Sequence, residues 1–119
     1  MKEYQRHITR KDLRENPDKI FLFGDNLAKR GMGGQAKEMR GEPNAIGIPT
    51  KKLPNMNNDA YFTDDEFEDN KVRILIELNK IPKGKTVVIP SSGLGTGLAE
   101  LDKRAPKTYA FLLKKLNEL

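Results

Sequence analysis

Cysteine is absent from this 119-residue chain, and histidine occurs only once, at His7. Without cysteine, disulfide bonds and thiolate chemistry are excluded, which fits a reducing cytoplasm. Catalysis by a Cys–His pair is excluded for the same reason. No group of His, Asp and Glu residues has the spacing of a metal site, so we expect neither a metal nor another bound cofactor.

Long apolar runs are missing as well. No stretch approaches the roughly 18 apolar residues that a membrane span requires, and residues 1–7 lack the apolar core of a secretory signal. The length suits one domain covering residues 1–119. We therefore expect a single-domain cytoplasmic protein with no membrane partner.

Charged residues are plentiful: 22 Lys and Arg against 17 Asp and Glu give a net charge of +5. The two signs alternate along the chain instead of forming a basic tail, and aromatic residues are few. Nucleic acid is therefore an unlikely partner, although a basic RNA- or protein-binding module stays an alternative. A basic surface also attracts small anions, and a nucleotide is such an anion.

Apolar patterns and caps predict alternating strands and helices, which is typical of an α/β sandwich. In one segment, Val72, Ile74, Ile76 and Leu78 alternate as in a strand, but the length and the capping box Thr63-Asp-Asp-Glu favour a helix. The predicted strands are 4–8, 20–23, 45–48 and 86–89, and the predicted helices are 9–16, 32–40, 63–80 and one that begins near Pro106.

Seven of the ten glycines lie in two segments, 24–34 and 93–97, and this clustering is the main functional signal. Each segment follows a predicted buried strand and precedes a predicted helix, which is where α/β folds bind ligands. Glycine lets backbone N–H groups approach phosphate oxygens closely, and a following helix adds partial positive charge. Neither segment has Walker or Rossmann spacing. The alternative is that these glycines only make tight turns.

Polar side chains accompany both glycine segments. Ser91, Ser92 and Thr96 carry hydroxyls that can donate to a phosphate. Asp25 and Asn26 follow the predicted strand 20–23 directly. An acid there can accept a hydrogen bond from an adenine amino group or a ribose hydroxyl, or can simply form a solvated Asx turn.

These segments resemble the macro domain, a fold that binds ADP-ribose. Gly24-Asp-Asn26 with Gly31-Met-Gly-Gly-Gln-Ala36 is similar to its first loop, and Val87 through Leu101 is similar to its second glycine-rich loop. The chain also resembles short, mostly uncharacterised macro-like proteins of bacteriophages. The resemblance covers residues 20–116 and implies a compact three-layer α/β/α sandwich with a mixed central sheet.

The resemblance also implies a ligand and its contacts. The ligand is ADP-ribose or an NAD-derived nucleotide, with its diphosphate between the two loops, and a phage-type role would be to sequester a signalling nucleotide in the host cytoplasm. The ligand-binding residues predicted on this basis are Gly24, Asp25, Asn26, Gly31, Gly33, Gly34, Gln35, Thr50, Ser91, Ser92, Gly93, Leu94, Gly95, Thr96 and Gly97.

An enzyme is the second alternative. Residues 45–52 are similar to the macro-domain branch that removes ADP-ribose from glutamate, which uses a lysine nucleophile and an aspartate after the second loop. Lys51 or Lys52 would be that lysine, whereas Ala99 stands at the aspartate position. The sequence therefore leaves open whether the protein only binds its nucleotide or also acts as an ADP-ribosyl hydrolase.

Overall fold

The computed structural model describes all 119 residues and contains four strands, five helices and two 3₁₀ turns. In chain order they are β1 (Lys2–Gln5), α1 (Arg10–Glu15), β2 (Lys19–Asn26), α2 (Ala36–Met39), β3 (Ala45–Lys51), the 3₁₀ turns Asn58–Ala60 and Asp64–Glu66, α3 (Phe67–Leu78), β4 (Thr86–Pro90), α4 (Leu101–Arg104) and α5 (Pro106–Asn117). None of these helices combines the length and the apolar character needed to cross a membrane.

The strands form one sheet in the order β1–β4–β2–β3, and all three pairings are parallel. The predicted α/β class is confirmed, but the prediction of a mixed sheet is wrong. Every connection between consecutive strands contains a helix that crosses over the sheet, and such crossovers return the chain in the same direction.

Helices cover both faces of the sheet, and β2 supplies side chains to both. Ile20 and Leu22 join the larger apolar cluster, which packs under α3, α4 and α5. Phe21 and Phe23 join a second cluster with residues of α1 and α2. Because successive strand residues point to opposite faces, a central strand covered on both sides is continuously apolar, as the sequence of β2 is.

All four predicted strands have different bounds in the structure. The second runs from Lys19 to Asn26 and so contains Asp25 and Asn26, which were expected to follow it, and the fourth ends one residue later than predicted, at Pro90. The third strand does not end before Pro49 but continues to Lys51. Proline is tolerated there because β3 lies at an edge of the sheet. The first strand ends at Gln5 instead of residue 8, since His7 adopts a positive φ of 52° and Ile8 turns into the smaller apolar cluster.

The predicted caps differ in outcome. Thr9 caps α1 as expected, in a reciprocal capping box with Asp12. The capping box at Thr63 is wrong, because residues 64–66 form a 3₁₀ turn and the Thr63 side chain caps nothing. Asp64 instead accepts hydrogen bonds from the backbone N–H groups of Lys107 (2.9 Å) and Thr108 (3.1 Å), so it caps α5. The helical assignment of residues 67–78 is confirmed.

The helix predicted over residues 32–40 is only one turn long in the structure, because α2 begins at Ala36. Gly31 and Gly34 have φ angles of +96° and +57°, which are incompatible with a right-handed helix. The glycine-rich segment after β2 is therefore a loop from Leu27 to Gln35, which we call the first loop. The segment from Ser91 to Glu100, between β4 and α4, is the second loop.

Candidate functional site

The two glycine-rich loops meet at the carboxyl ends of the strands. They follow β2 and β4, which are neighbouring parallel strands, so their carboxyl ends lie side by side. A Cβ placed on Gly24 would be 3.6 Å from the backbone nitrogen of Gly95, and one on Gly33 would be 3.0 Å from Cδ1 of Leu98. The two loops therefore lie next to each other, and that they bind one ligand together stays a prediction.

The first loop leads to α2 on one face of the sheet, and the second leads to α4 on the other face. Two neighbouring strands whose loops diverge in this way leave a crevice at their carboxyl ends, where α/β proteins bind ligands. That crevice has a volume of about 460 Å³, and we call it the cleft. Of the predicted residues it is lined by Gly24, Gly33, Gly34, Gln35, Thr50, Ser92, Gly93, Leu94, Gly95, Thr96 and Gly97.

A second cavity of about 150 Å³ adjoins the cleft and shares Gly24, Gly33 and Thr50 with it. We call it the side cavity. Four other predicted residues line it: Asp25, Asn26, Gly31 and Lys51. Sequence reasoning did not single out its further lining residues Arg30, Met32, Ala36, Arg40, Pro54, Met56 and Leu98.

Both loops carry backbone N–H groups that the fold does not use. One run extends from Gly31 in the first loop to Ala36 at the start of α2, and none of its N–H groups donates to a backbone carbonyl. The other run extends from Leu94 to Ala99 in the second loop, and its N–H groups are equally unused. Helices and strands normally consume such donors. Of these residues, Gly33–Gln35 and Leu94–Ala99 line the cleft. Free backbone donors on two sides of a crevice are the arrangement by which backbone nests bind anions.

The second loop is held by its own backbone. The N–H of Leu101 donates to the carbonyl of Gly95 at 2.7 Å, and the N–H of Gly93 donates to that of Pro90 at 2.9 Å. Gly95 has a φ of +83°, and a Cβ there would lie 3.0 Å from Cβ of Leu101. Gly95 is therefore required by the fold itself. Leu94 contributes its backbone to the cleft, while its side chain belongs to the core.

The first loop is held by a side chain, that of Arg40. Its Nη1 and Nη2 atoms donate to the two carboxylate oxygens of Asp25, at 3.1 and 2.6 Å. Its Nε atom donates to the carbonyl of Gly31 at 2.9 Å. Asp25 is thus bound within the protein, and its contact with adenine stays a prediction. Arg40 lies 15 residues away in the sequence, so no local pattern pointed to this pair.

Asn26 also holds the first loop, since its Nδ2 atom donates to the carbonyl of Arg30 at 2.7 Å. Its Oδ1 atom is buried and has no hydrogen-bond partner. A buried acceptor without a donor destabilises the folded state by about 1–3 kcal/mol. Such an atom in the wall of the side cavity is suited to a ligand N–H or O–H group.

The two candidate lysines occupy different environments. Lys51 is buried, lines the side cavity, and donates from Nζ to the carbonyl of Asn55 at 2.7 Å. Lys52 forms an ion pair with Glu66 and lines neither cavity. Successive residues along an extended chain point in opposite directions, so only one of the two can face the site. The structure therefore removes Lys52 from the candidate nucleophiles.

Burial lowers the pKa of Lys51, and the guanidinium of Arg104 lowers it further, against the opposing effect of the Glu100 carboxylate. Ala99 lines the same cavity as Lys51. Two acids follow Ala99 closely in the sequence: Glu100 is paired with Arg104 at 3.2 Å, and Asp102 lines neither the cleft nor the side cavity. The site thus offers a lysine with a lowered pKa, and no unpaired carboxylate lines either cavity.

Similarity to known proteins identifies a family for this chain but no function. No curated protein and no solved structure matches the chain. One family model matches residues 3–115, which is nearly the whole sequence and includes both glycine-rich loops and Lys51. The chain therefore belongs to DUF7831, a family of unknown function.

Proposed function

We propose that this protein binds an ADP-ribose-like or NAD-derived nucleotide, with the diphosphate held in the cleft between the first and second loops. The observation that carries this proposal is the pair of unused backbone N–H runs, of which Gly33–Gln35 in the first loop and Leu94–Ala99 in the second loop line the cleft. Backbone donors fixed by the fold bind phosphate oxygens without the entropy loss that flexible side chains incur.

The charges beside the cleft support the same ligand class. Lys51 and Arg30 line the side cavity, and neither is among the cations that pair with a carboxylate. The carboxylate of Asp25 is the one acid in that lining, and it is neutralised by Arg40. The site therefore presents net positive charge to a ligand, which favours an anion.

The side cavity suits the part of the ligand beyond the diphosphate. Its rim carries three large, exposed apolar side chains, Met32, Met56 and Leu98, and its wall carries the unpartnered Oδ1 atom of Asn26. A sugar or base offers both an apolar face and hydrogen-bond donors. Binding sites for small molecules combine apolar walls with a few fixed polar groups in this way.

Calorimetry with ADP-ribose, NAD, ADP, AMP and adenosine tests the proposal. We expect the diphosphates to bind and adenosine to give no heat, because the backbone donors act on phosphate. If none of the diphosphates binds, the proposal is wrong. Salt-sensitive binding of RNA in place of nucleotides would support a basic interaction module instead. Sequestration of a signalling nucleotide predicts release of the unchanged compound when the protein is denatured.

The second candidate is an ADP-ribosyl hydrolase, and the position of Lys51 favours it. A buried lysine with a lowered pKa is a better nucleophile than an ordinary one. Chromatography of ADP-ribosylated substrates after incubation tests for turnover. Turnover that Lys51→Ala abolishes and Lys52→Ala preserves would establish the enzyme, whereas binding without turnover leaves a nucleotide-binding protein.

A further inference from the structure

The cleft does not end at the second loop. A depression at the carboxyl end of β1 adjoins it and shares Gln35, Pro90 and Ser92 with it. We call this depression the β1 subsite. Its remaining lining residues include Arg6, His7 and Ser91, and it contains no carboxylate and no large apolar side chain. The side cavity, the cleft and the β1 subsite therefore follow one another along the carboxyl edge of the sheet.

The groups in the β1 subsite suit a phosphate. The arginines that pair with carboxylates in this protein are Arg10, Arg14, Arg40 and Arg104, so the guanidinium of Arg6 is free. Arg6 and His7 are both exposed and follow the end of β1, and the φ of +52° at His7 changes the direction of the chain there. An arginine, an imidazole and the two hydroxyls of Ser91 and Ser92 are all donors to phosphate oxygens.

Gln35 stands at the junction of the cleft and the β1 subsite. Its Oε1 atom is buried and has no hydrogen-bond partner. A phosphate has no proton to offer this atom, but a sugar hydroxyl has one. Along the carboxyl ends of the strands, the backbone donors of the cleft come first, then the Oε1 acceptor of Gln35, and then the side-chain donors of the β1 subsite.

We infer that the β1 subsite binds a phosphate monoester on a ribose of the nucleotide, whose neighbouring hydroxyl donates to Gln35. The ligand class is then a ribose-phosphorylated ADP-ribose, derived from NADP-like precursors rather than from NAD. This inference rests on the proposed function, because it assigns the diphosphate to the cleft.

Affinities for ADP-ribose and for its 2′- and 3′-phosphates, measured by calorimetry, test the inference. We expect one of the two phosphates to bind about tenfold more tightly than ADP-ribose, the gain of one charge-assisted hydrogen bond. The 2′ and 3′ compounds distinguish which hydroxyl carries the monoester. Arg6→Gln and His7→Gln should each reduce this preference while leaving the affinity for ADP-ribose unchanged.

Arg14→Gln is the matched control, since Arg14 is an exposed arginine that lines neither the side cavity, the cleft nor the β1 subsite. It should keep the full preference. If ADP-ribose binds and neither added phosphate strengthens the binding, the inference is overturned and the proposed function stands. A preference that persists in both Arg6→Gln and His7→Gln also overturns it. If none of the three compounds binds, the proposed function fails and the inference fails with it.

Discussion

The first and second loops present the same chemistry to the cleft but are held by different means. In the first loop, the guanidinium of Arg40 and the amide of Asn26 bind the backbone carbonyls of residues 30 and 31. In the second loop, backbone hydrogen bonds and the packing of Gly95 against Leu101 and Thr50 fix the chain.

This difference shows where each loop is vulnerable. A loop fixed by side chains depends on residues far away in the sequence, such as Arg40, and tolerates changes at some of its own positions. A loop fixed by its backbone has no such distant anchor and depends on glycines such as Gly95, whose φ of +83° strains other residues. Gly31 and Gly34 of the first loop also have positive φ angles, so the two loops differ in their anchors and not in their need for glycine. Substitutions in the two loops and at their anchors test this contrast.

The largest effect is expected for Gly95→Val. Left-handed strain and contact with Leu101 together should lower the free energy of unfolding by about 4 kcal/mol, measured by urea denaturation. If Gly95 were needed only so that the ligand can approach the backbone closely, Gly95→Val would cause little loss of stability. The positive φ and the contact with Leu101 argue against that outcome. Gly93→Val is the matched control: φ is +87° there, but the nearest atom is 3.9 Å from the added Cβ, so about 2 kcal/mol is expected. Equal losses would show that packing is irrelevant.

The first loop should be most sensitive at Arg40. Arg40→Met leaves the carboxylate of Asp25, whose side chain is only 8% exposed, without its partner. We expect the free energy of unfolding to fall by about 3 kcal/mol. Arg14→Met is the control, because the Arg14 side chain is 66% exposed and its ion pair contributes less than about 1 kcal/mol. A loss at Arg40 no greater than the loss at Arg14 would contradict the role of Arg40 as the anchor of the first loop.

A variant of Gly97 separates binding from folding. A Cβ at this position meets no protein atom within 4 Å, and the residue lines the cleft. Gly97→Leu should therefore change stability by less than about 0.5 kcal/mol. It should weaken nucleotide binding about tenfold, a loss of about 1.4 kcal/mol, because its side chain occupies ligand space. Gly97→Ala should have a smaller effect, and unchanged affinity in both variants would exclude the second loop from the site.

The smallest effect concerns pH and Lys51. Because its pKa is lowered in the folded state, the unfolded chain holds the proton at pH values where the folded protein has lost it. Stability should therefore rise with pH from the lowered pKa up to about 10.4, the ordinary value for lysine. Lys51→Met should lack this rise in urea denaturation between pH 7 and 10, while Lys52→Met controls for the loss of one charge. A parallel pH dependence of wild type and Lys51→Met would refute the effect.

Local patterns predicted a substantial part of this protein. The apolar runs of β2 and β4, the cap at Thr9 and the proline that opens α5 are visible in a few neighbouring residues. The position of each glycine cluster directly after a strand is equally local. These signals indicated that the two glycine-rich segments meet near strand ends. Eleven of the fifteen residues predicted from the family resemblance line the cleft, and Asp25, Asn26, Gly31 and Ser91 lie outside it.

The remaining features depended on contacts between distant residues. Asp64 caps α5, which begins more than 40 residues later, and Asp25 forms an ion pair with Arg40. The choice between Lys51 and Lys52 depended on which way β3 faces, and a shift of one residue reverses that choice.

The amino-acid sequence alone determined the α/β alternation, the two glycine-rich loops and the basic charge, because each follows from residue type and short spacing. Only the tertiary structure decided that all strands run parallel, that Arg40 anchors the first loop, and that Lys51 rather than Lys52 faces the side cavity. Strand order and register are set by packing across the whole sheet, and no local segment contains that information.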